Sequence, residues 1–162
     1  MSPVEIAVAL VALERLAELA VARRNTRRLL AAGAVEHGAR HYPFVVALHA
    51  AWLATLLVWV PEDAPIRWPL LALFVLLQFA RAWVIVSLGP YWTTRIIVPP
   101  GTPTIRRGPY RWLRHPNYAI VAAEIALLPL AFDAWDVALI FSLANALLLS
   151  YRIRSEEAAR EE

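Results

Sequence analysis

Five apolar stretches, each set off from the next by a short polar segment, leave this chain few ways to fold. They run over 3–22, 42–60, 68–88, 116–132 and 135–151. A helix rises about 1.5 Å per residue, so about 20 apolar residues cross the hydrocarbon of a bilayer. Inside that layer every backbone N–H and C=O must be satisfied within the protein, which favours helices over irregular chain. The last two stretches are joined only by Asp133-Ala134, a link too tight for anything except a helical hairpin. The expectation is an all-α protein: a single domain over 1–162, built as an integral membrane bundle of five transmembrane helices.

Composition agrees. Hydrophobic residues make up 60% of the chain and charged residues 18%, against about 45–50% and about 25% in soluble domains. Disorder and an ordinary soluble enzyme are thereby excluded. The absence of cysteine excludes disulfides, thiolate metal sites and a cysteine nucleophile. Glu5 precedes the first run and no basic region frames it, so the run is read as part of the mature chain rather than a signal peptide.

All sixteen basic residues are arginine, and the net charge is +3. The arginines cluster beside the apolar runs instead of forming one long basic face, so no nucleic-acid partner is expected. They read as topology signals. With the N-terminus outside, the inside segments are 23–41, 89–115 and 152–162, which hold thirteen of the sixteen, Arg160 included. The outside segments hold Arg67 with Glu62, Asp63, Asp133 and Asp136. This predicts an outer N-terminus and a cytoplasmic C-terminus.

An ion facing lipid is costly, so charges within the runs are informative. Glu14, Arg15 and Glu18 lie in the first run, where Arg15 can reach Glu18 one turn on. That face is expected to point into the bundle. Gln78 and Arg81 lie in the third run and Glu124 in the fourth. Two readings carry equal weight: polar groups along the path of a lipophilic ligand, or an interhelix pairing of Arg81 with Glu14, Glu18 or Glu124. His49 in the second run is expected to be packed and hydrogen-bonded. His37 and His41 lack metal-ligand spacing, and no metal is expected. Trp59, Trp68 and Trp135, near run ends, suit anchoring at the membrane interface.

Chemistry concentrates in two segments. The first is Arg107-Gly108-Pro109-Tyr110-Arg111-Trp112-Leu113-Arg114-His115-Pro116-Asn117-Tyr118. Gly108-Pro109 signals a turn, and Pro116 suits the first turn of a helix. The free N–H groups of that helix start can receive an anion, with Arg114, His115, Asn117 and Tyr118 around them. Taken alone, a basic loop at lipid headgroups explains the segment equally well. The second is Arg152-Ile153-Arg154-Ser155-Glu156-Glu157. Arg152 and Glu156 are spaced as helix partners, and a solvated helix end accounts for them. Both segments leave the membrane on one side, from the two arms of one hairpin. Together they offer a cation site beside an anion site, which suits a zwitterionic ligand.

From RGPYRWLRHPNY through the apolar hairpin to RIRSEE, the chain resembles the isoprenylcysteine carboxyl methyltransferase family, most strongly over residues 91–157. Arg23-Arg24-Asn25, His41-Tyr42-Pro43 and Trp92-Thr93-Thr94-Arg95 are similar to a bacterial branch that methylates alkylpyrones or alkylresorcinols. Phospholipid methyltransferases share the Arg-His-Pro-x-Tyr and paired-Glu elements. Ile120 stands where many relatives carry glycine. The resemblance implies an enzyme of the bacterial inner or cell membrane that uses S-adenosylmethionine at its cytoplasmic face to methylate an oxygen of a lipophilic acceptor. It implies cofactor binding by Arg114, His115, Tyr118, Arg152, Glu156 and Glu157, within 107–118 and 152–157. It implies catalytic roles for Arg114, His115 and Tyr118, with Tyr110 a further candidate.

These residue types suit methyl transfer. The cofactor carries a carboxylate for Arg114 and the helix start, and an ammonium or ribose hydroxyl for Glu156 or Glu157. An aromatic face can receive its sulfonium, worth about 0.5–2 kcal/mol. Displacement at a methyl carbon needs alignment and dryness. A prenylcysteine-type carboxylate acceptor needs no base. A phenol or enol must lose a proton, and His115 is a candidate base because an unperturbed imidazole titrates near working pH. The acceptor is expected to arrive sideways among membrane lipids. Methylation of a phospholipid amine, or a non-enzymatic lipid-binding or assembly role, are the alternatives. The few buried charges and the lack of a repeat disfavour a transporter.

Overall fold

A computed structural model describes residues 1–99 and 106–161, with side chains to residue 159. Residues 100–105 of the predicted inner segment, and the Arg160 side chain, lie outside the described residues. The helices are α1 (Pro3–Ala31), α2 (Tyr42–Trp59), α3 (Trp68–Leu88), α4 (Pro116–Ala131) and α5 (Trp135–Glu161). Two short strands, β1 (Val35–His37) and β2 (Ile96–Val98), lie between them in sequence.

The apolar runs locate α2, α3 and α4 to within a residue. The two outer helices are longer than predicted, because an apolar run marks where lipid ends and not where a helix ends. Arg, Leu and Ala are good helix formers, so α1 continues through Arg23, Arg24, Arg27 and Arg28. In the same way α5 continues through Arg152, Arg154, Glu156 and Glu157. Ser2 starts α1 with a reciprocal capping box to Glu5.

Two parts of the fold expectation need correction. The protein is not purely helical: β1 and β2 pair antiparallel, Val35 opposite Val98 and His37 opposite Ile96. Branched Val and Ile favour that extended pairing, and Arg95 Nη1 donates to Glu36 Oε1 across it at 2.8 Å. Nor do all five helices qualify as membrane spans. Among the described residues three are long and apolar enough, over Ala39–Trp59, Trp68–Tyr91 and Trp135–Ala159. Glu5, Glu14, Arg15 and Glu18 interrupt α1, and α4 has only 16 residues.

The bundle is packed at one end and hollow at the other. Val4, Val8 and Val11 of α1, Trp52 and Leu56 of α2, Phe74 of α3, and Ile125 and Leu128 of α4 form one core with Phe132 and Val137. Tight packing supplies the association there, since lipid is as apolar as these side chains. Large apolar residues also face outward, with Val86 77% and Leu147 76% exposed, as a lipid-bathed surface requires. At the packed end Arg67 donates to Asp133 Oδ1 from Nε at 2.9 Å and Nη2 at 2.6 Å. Trp59 Nε1 donates to Asp136 there at 2.6 Å. At the hollow end Asn25 Nδ2 donates to the carbonyls of Gly89 at 3.1 Å and Trp92 at 2.8 Å. Arg152 Nη2 reaches the Thr94 carbonyl as well, so the described parts of the three arginine-rich segments gather at the hollow end.

Candidate functional site

The segment before α4 is shaped by Gly108. It opens a single 3-10 turn over Gly108–Arg111 with a positive φ of 53°, which glycine adopts without strain. A Cβ here would overlap the Ser87 hydroxyl of α3 and lie 3.2 Å from Trp83 Nε1. Glycine thus lets the turn lie directly on the end of α3. Trp112 rests near Trp83, with ring centroids 6.0 Å apart. His115 then leads into α4 without a side-chain cap, and Pro116 follows as the first helical residue. The first turn of α4 therefore lacks the usual side-chain acceptor for its N–H groups.

The extension of α5 stands beside that helix start. Tyr118 Oη donates to Glu156 Oε2 at 2.8 Å. The His115 ring stacks on Tyr118, with centroids 5.4 Å apart and planes 13° from parallel. Its Nδ1 lies 3.8 Å from Glu156 Oε2, and its Nε2 lies 3.9 Å from Glu157 Oε1. Arg152 holds its guanidinium 5.5 Å from the Tyr118 ring centroid and donates Nη2 to the Thr94 carbonyl at 2.9 Å. Five of the six sequence-predicted residues thus form one cluster. The sixth, Arg114, is exposed and lines the same cavity.

That cavity has a volume of about 1720 Å³ and runs from the cluster toward the middle of the bundle. The β1–β2 ribbon forms part of its wall through Val35, Ile96 and Val98. Three buried polar atoms among its lining residues, Trp92 Nε1, Asn117 Oδ1 and Arg152 Nε, have no hydrogen-bond partner among the described residues. Leaving such atoms unpaired is costly, so they mark a place for a polar ligand. Sequence reasoning placed Asn117 beside the helix start without naming it as a binding residue, and assigned no role to Thr94. Asn117 stood inside the motif as a signal, whereas Thr94 acts through its carbonyl, which no side-chain pattern reveals.

The intramembrane charges meet across three helices. Arg81 of α3 binds Glu18 of α1 through Nε and, at 2.7 Å, through Nη2. Its Nη1 donates to Glu124 Oε2 of α4 at 3.1 Å. Arg15 closes the ring, 2.8 Å from Glu18 and 3.1 Å from Glu124. Gln78 donates to the Phe74 carbonyl of its own helix at 3.1 Å. The interhelix pairing is therefore present, while Arg15, Glu18 and Arg81 also line the cavity. His49 is hydrogen-bonded as expected, its Nδ1 2.9 Å from the Val45 carbonyl, and it lines the cavity too. His41 packs its ring edge against Tyr151 at 5.2 Å. Among the described residues no three His, Asp or Glu side chains gather as a metal site.

Comparison with known proteins adds a family. The profile of the isoprenylcysteine carboxyl methyltransferase (ICMT) family matches residues 70–161. The uncharacterized protein YpbQ of Bacillus subtilis is 41% identical over 159 residues, covering 96% of this chain and 95% of YpbQ. An uncharacterized protein of Haemophilus influenzae is 28% identical over 150 residues, covering 90% of this chain and 87% of that protein. No solved structure matches the chain.

Proposed function

The chain belongs to the isoprenylcysteine carboxyl methyltransferase family, a family of methyltransferases, and on that premise we propose that it moves a methyl group from S-adenosylmethionine to an oxygen of a lipophilic acceptor. The observation that carries this reading is that one cavity is lined by all six motif residues and also by apolar side chains of α1 and α2, such as Leu16, Leu19, Val46 and Leu53. Pockets for one drug-sized ligand run to about 300–1,000 Å³. At about 1720 Å³ this one has room for a cofactor and an acceptor together.

The residues present fit the cofactor's charges. Arg114 and the uncapped first turn of α4 suit its carboxylate. Glu156 and Glu157 suit its ammonium or ribose hydroxyls. The unpaired Asn117 Oδ1 and Arg152 Nε supply a further acceptor and donor. When bound, the cofactor supplies a methyl group on a positively charged sulfur. His115 and Tyr118, stacked on each other, position that end. Because His115 holds both ring nitrogens near the acidic pair, it belongs to the cofactor end of the cavity. Where bound cofactor and acceptor displace water from the cavity, electrostatic contacts at the reacting atoms strengthen. The acceptor comes sideways from the bilayer, and the cofactor end faces the cytoplasm.

The test is S-adenosylmethionine binding by the purified protein in nanodiscs, wild type beside Glu157→Gln. The expected result is saturable binding that the substitution weakens about 10–100-fold, as for loss of one charged hydrogen bond. A folded wild type that binds no S-adenosylmethionine, with or without acceptor, overturns the proposal.

A further inference from the structure

We propose that His49 of α2 is the group that receives the acceptor's hydroxyl and takes its proton. The proposal rests on the methyltransferase reading and assigns the acceptor end of the same cavity. His49 Nδ1 lies 2.9 Å from the Val45 carbonyl one turn back along α2. A carbonyl oxygen only accepts, so Nδ1 carries the hydrogen. In the neutral ring Nε2 then presents a bare lone pair. Nε2 has no hydrogen-bond partner among the described residues, and the half-buried ring lines the cavity.

The surroundings select what that lone pair meets. Val45, Val46, Ala50 and Leu53 of α2, with Leu16 and Leu19 of α1, line the cavity with His49. Of the cations that act on His49, Arg15 and Arg81 are engaged by Glu18 and Glu124, and Arg152 gives Nη2 to the Thr94 carbonyl at the motif cluster. Beside His49 a carboxylate would find the nearer arginines, Arg15 and Arg81, already held by acids, and its oxygens would confront the Nε2 lone pair. An acidic O–H on an alkyl-bearing ring meets the opposite conditions: a hydrogen-bond acceptor for the hydroxyl and apolar walls for the rest. Two histidines of one cavity thus divide the work, His115 at the acidic pair and His49 at the acceptor.

The step balances. A lone pair of the acceptor oxygen forms the bond to the methyl carbon. The methyl–sulfur bond breaks and its electron pair stays on sulfur. The hydroxyl proton passes to His49 Nε2, so the imidazole becomes positive as the sulfur becomes neutral. The ring returns that proton to water after the product leaves.

Three probes read acceptor binding in nanodiscs through tryptophan fluorescence, without cofactor: a long-chain alkylphenol, its methyl ether, and a fatty acid of equal chain length. Wild type is expected to bind the phenol at least about 10-fold more tightly than the ether, the value of one good hydrogen bond. His49→Asn, which keeps a donor for Val45 and removes Nε2, is expected to lose that preference. His49→Gln, which can still accept a hydrogen bond, should retain part of it. In single turnovers with S-adenosylmethionine both variants should transfer methyl to the phenol about 10²–10⁴-fold more slowly, with cofactor affinity unchanged. Equal binding of phenol and ether by wild type, tighter binding of the fatty acid, or wild-type transfer rates in folded variants would each overturn the role of His49. Failure of wild type to bind S-adenosylmethionine would instead strike the methyltransferase reading, and the phenol preference would still report on His49.

Discussion

Arg81 is 5% exposed in the middle of a helix made chiefly of Leu, Ala, Val and Phe. A guanidinium there is tolerable because Glu18 and Glu124 accept its hydrogens from two other helices. Arg81 both ties three helices together and lines the cavity, and the two roles separate by measurement. Arg81→Met leaves Glu18 and Glu124 with Arg15 alone. It should lower stability by about 3–5 kcal/mol, the usual cost of leaving a buried charge without its partner. Adding Glu18→Gln should recover much of that loss. S-adenosylmethionine affinity should stay within about twofold of wild type, since Arg81 spends its hydrogen bonds on Glu18 and Glu124 rather than on the motif cluster. Thermal unfolding in nanodiscs, read beside cofactor titration, checks both. A variant as stable as wild type that binds cofactor poorly would move Arg81 from structure to the binding machinery. The sequence listed the right partners for Arg81 but could not choose among them. Positions on three helices become neighbours only through packing, which no local pattern encodes.

Helix boundaries teach a related lesson. Where the chain leaves α4 and enters α5, Asp133 adopts a positive φ of 60°, a conformation that aspartate tolerates better than most residues. It receives hydrogen bonds from Arg67 and, at 2.8 Å, from Trp135 Nε1. Asp133-Ala134 was readable as a hairpin turn from spacing alone; its tie to the start of α3 was not, because Arg67 lies far away in sequence. The helices α2 and α3 were legible because lipid imposes apolar runs on them, and α4 because its apolar residues pack in the core. The β1–β2 ribbon was not, since three-residue strands carry almost no periodicity. Arg67 and Trp135 hold the Asp133 carboxyl below its usual range. A depressed folded-state value stabilises the fold above the unfolded aspartate pKa of about 3.9, and that stabilisation is lost as pH falls through the folded value. Asp133→Asn should therefore melt lower than wild type at neutral pH, and the gap should narrow as pH falls below about 4. Melting curves over that range test the tie. A gap that persists in acid would assign the effect to the turn's backbone conformation instead.

At the scale of the whole molecule, charge, cavity and chemistry point to one end. The arginine-rich segments, the motif cluster and the opening of α4 all lie opposite the Arg67–Asp133 end. Much of the cluster was legible because its residues sit in two compact motifs, while the cavity that joins them to His49 exists only in the assembled bundle. Positively charged loops are retained on the cytoplasmic side, and anionic lipid there attracts them further. An enzyme that draws its cofactor from the cell interior must face the same way. Orientation and function are thus coupled, and the cysteine-free chain allows a direct test. Single substitutions Glu62→Cys and Arg24→Cys place a thiol at exposed positions on opposite ends. In intact cells a membrane-impermeant maleimide should label Glu62→Cys, and it should label Arg24→Cys only after permeabilisation. The reverse pattern would put the motif cluster on the outer face, away from intracellular S-adenosylmethionine. It would then count against the orientation and the proposed reaction together, because the same arginines that set the one also line the site of the other.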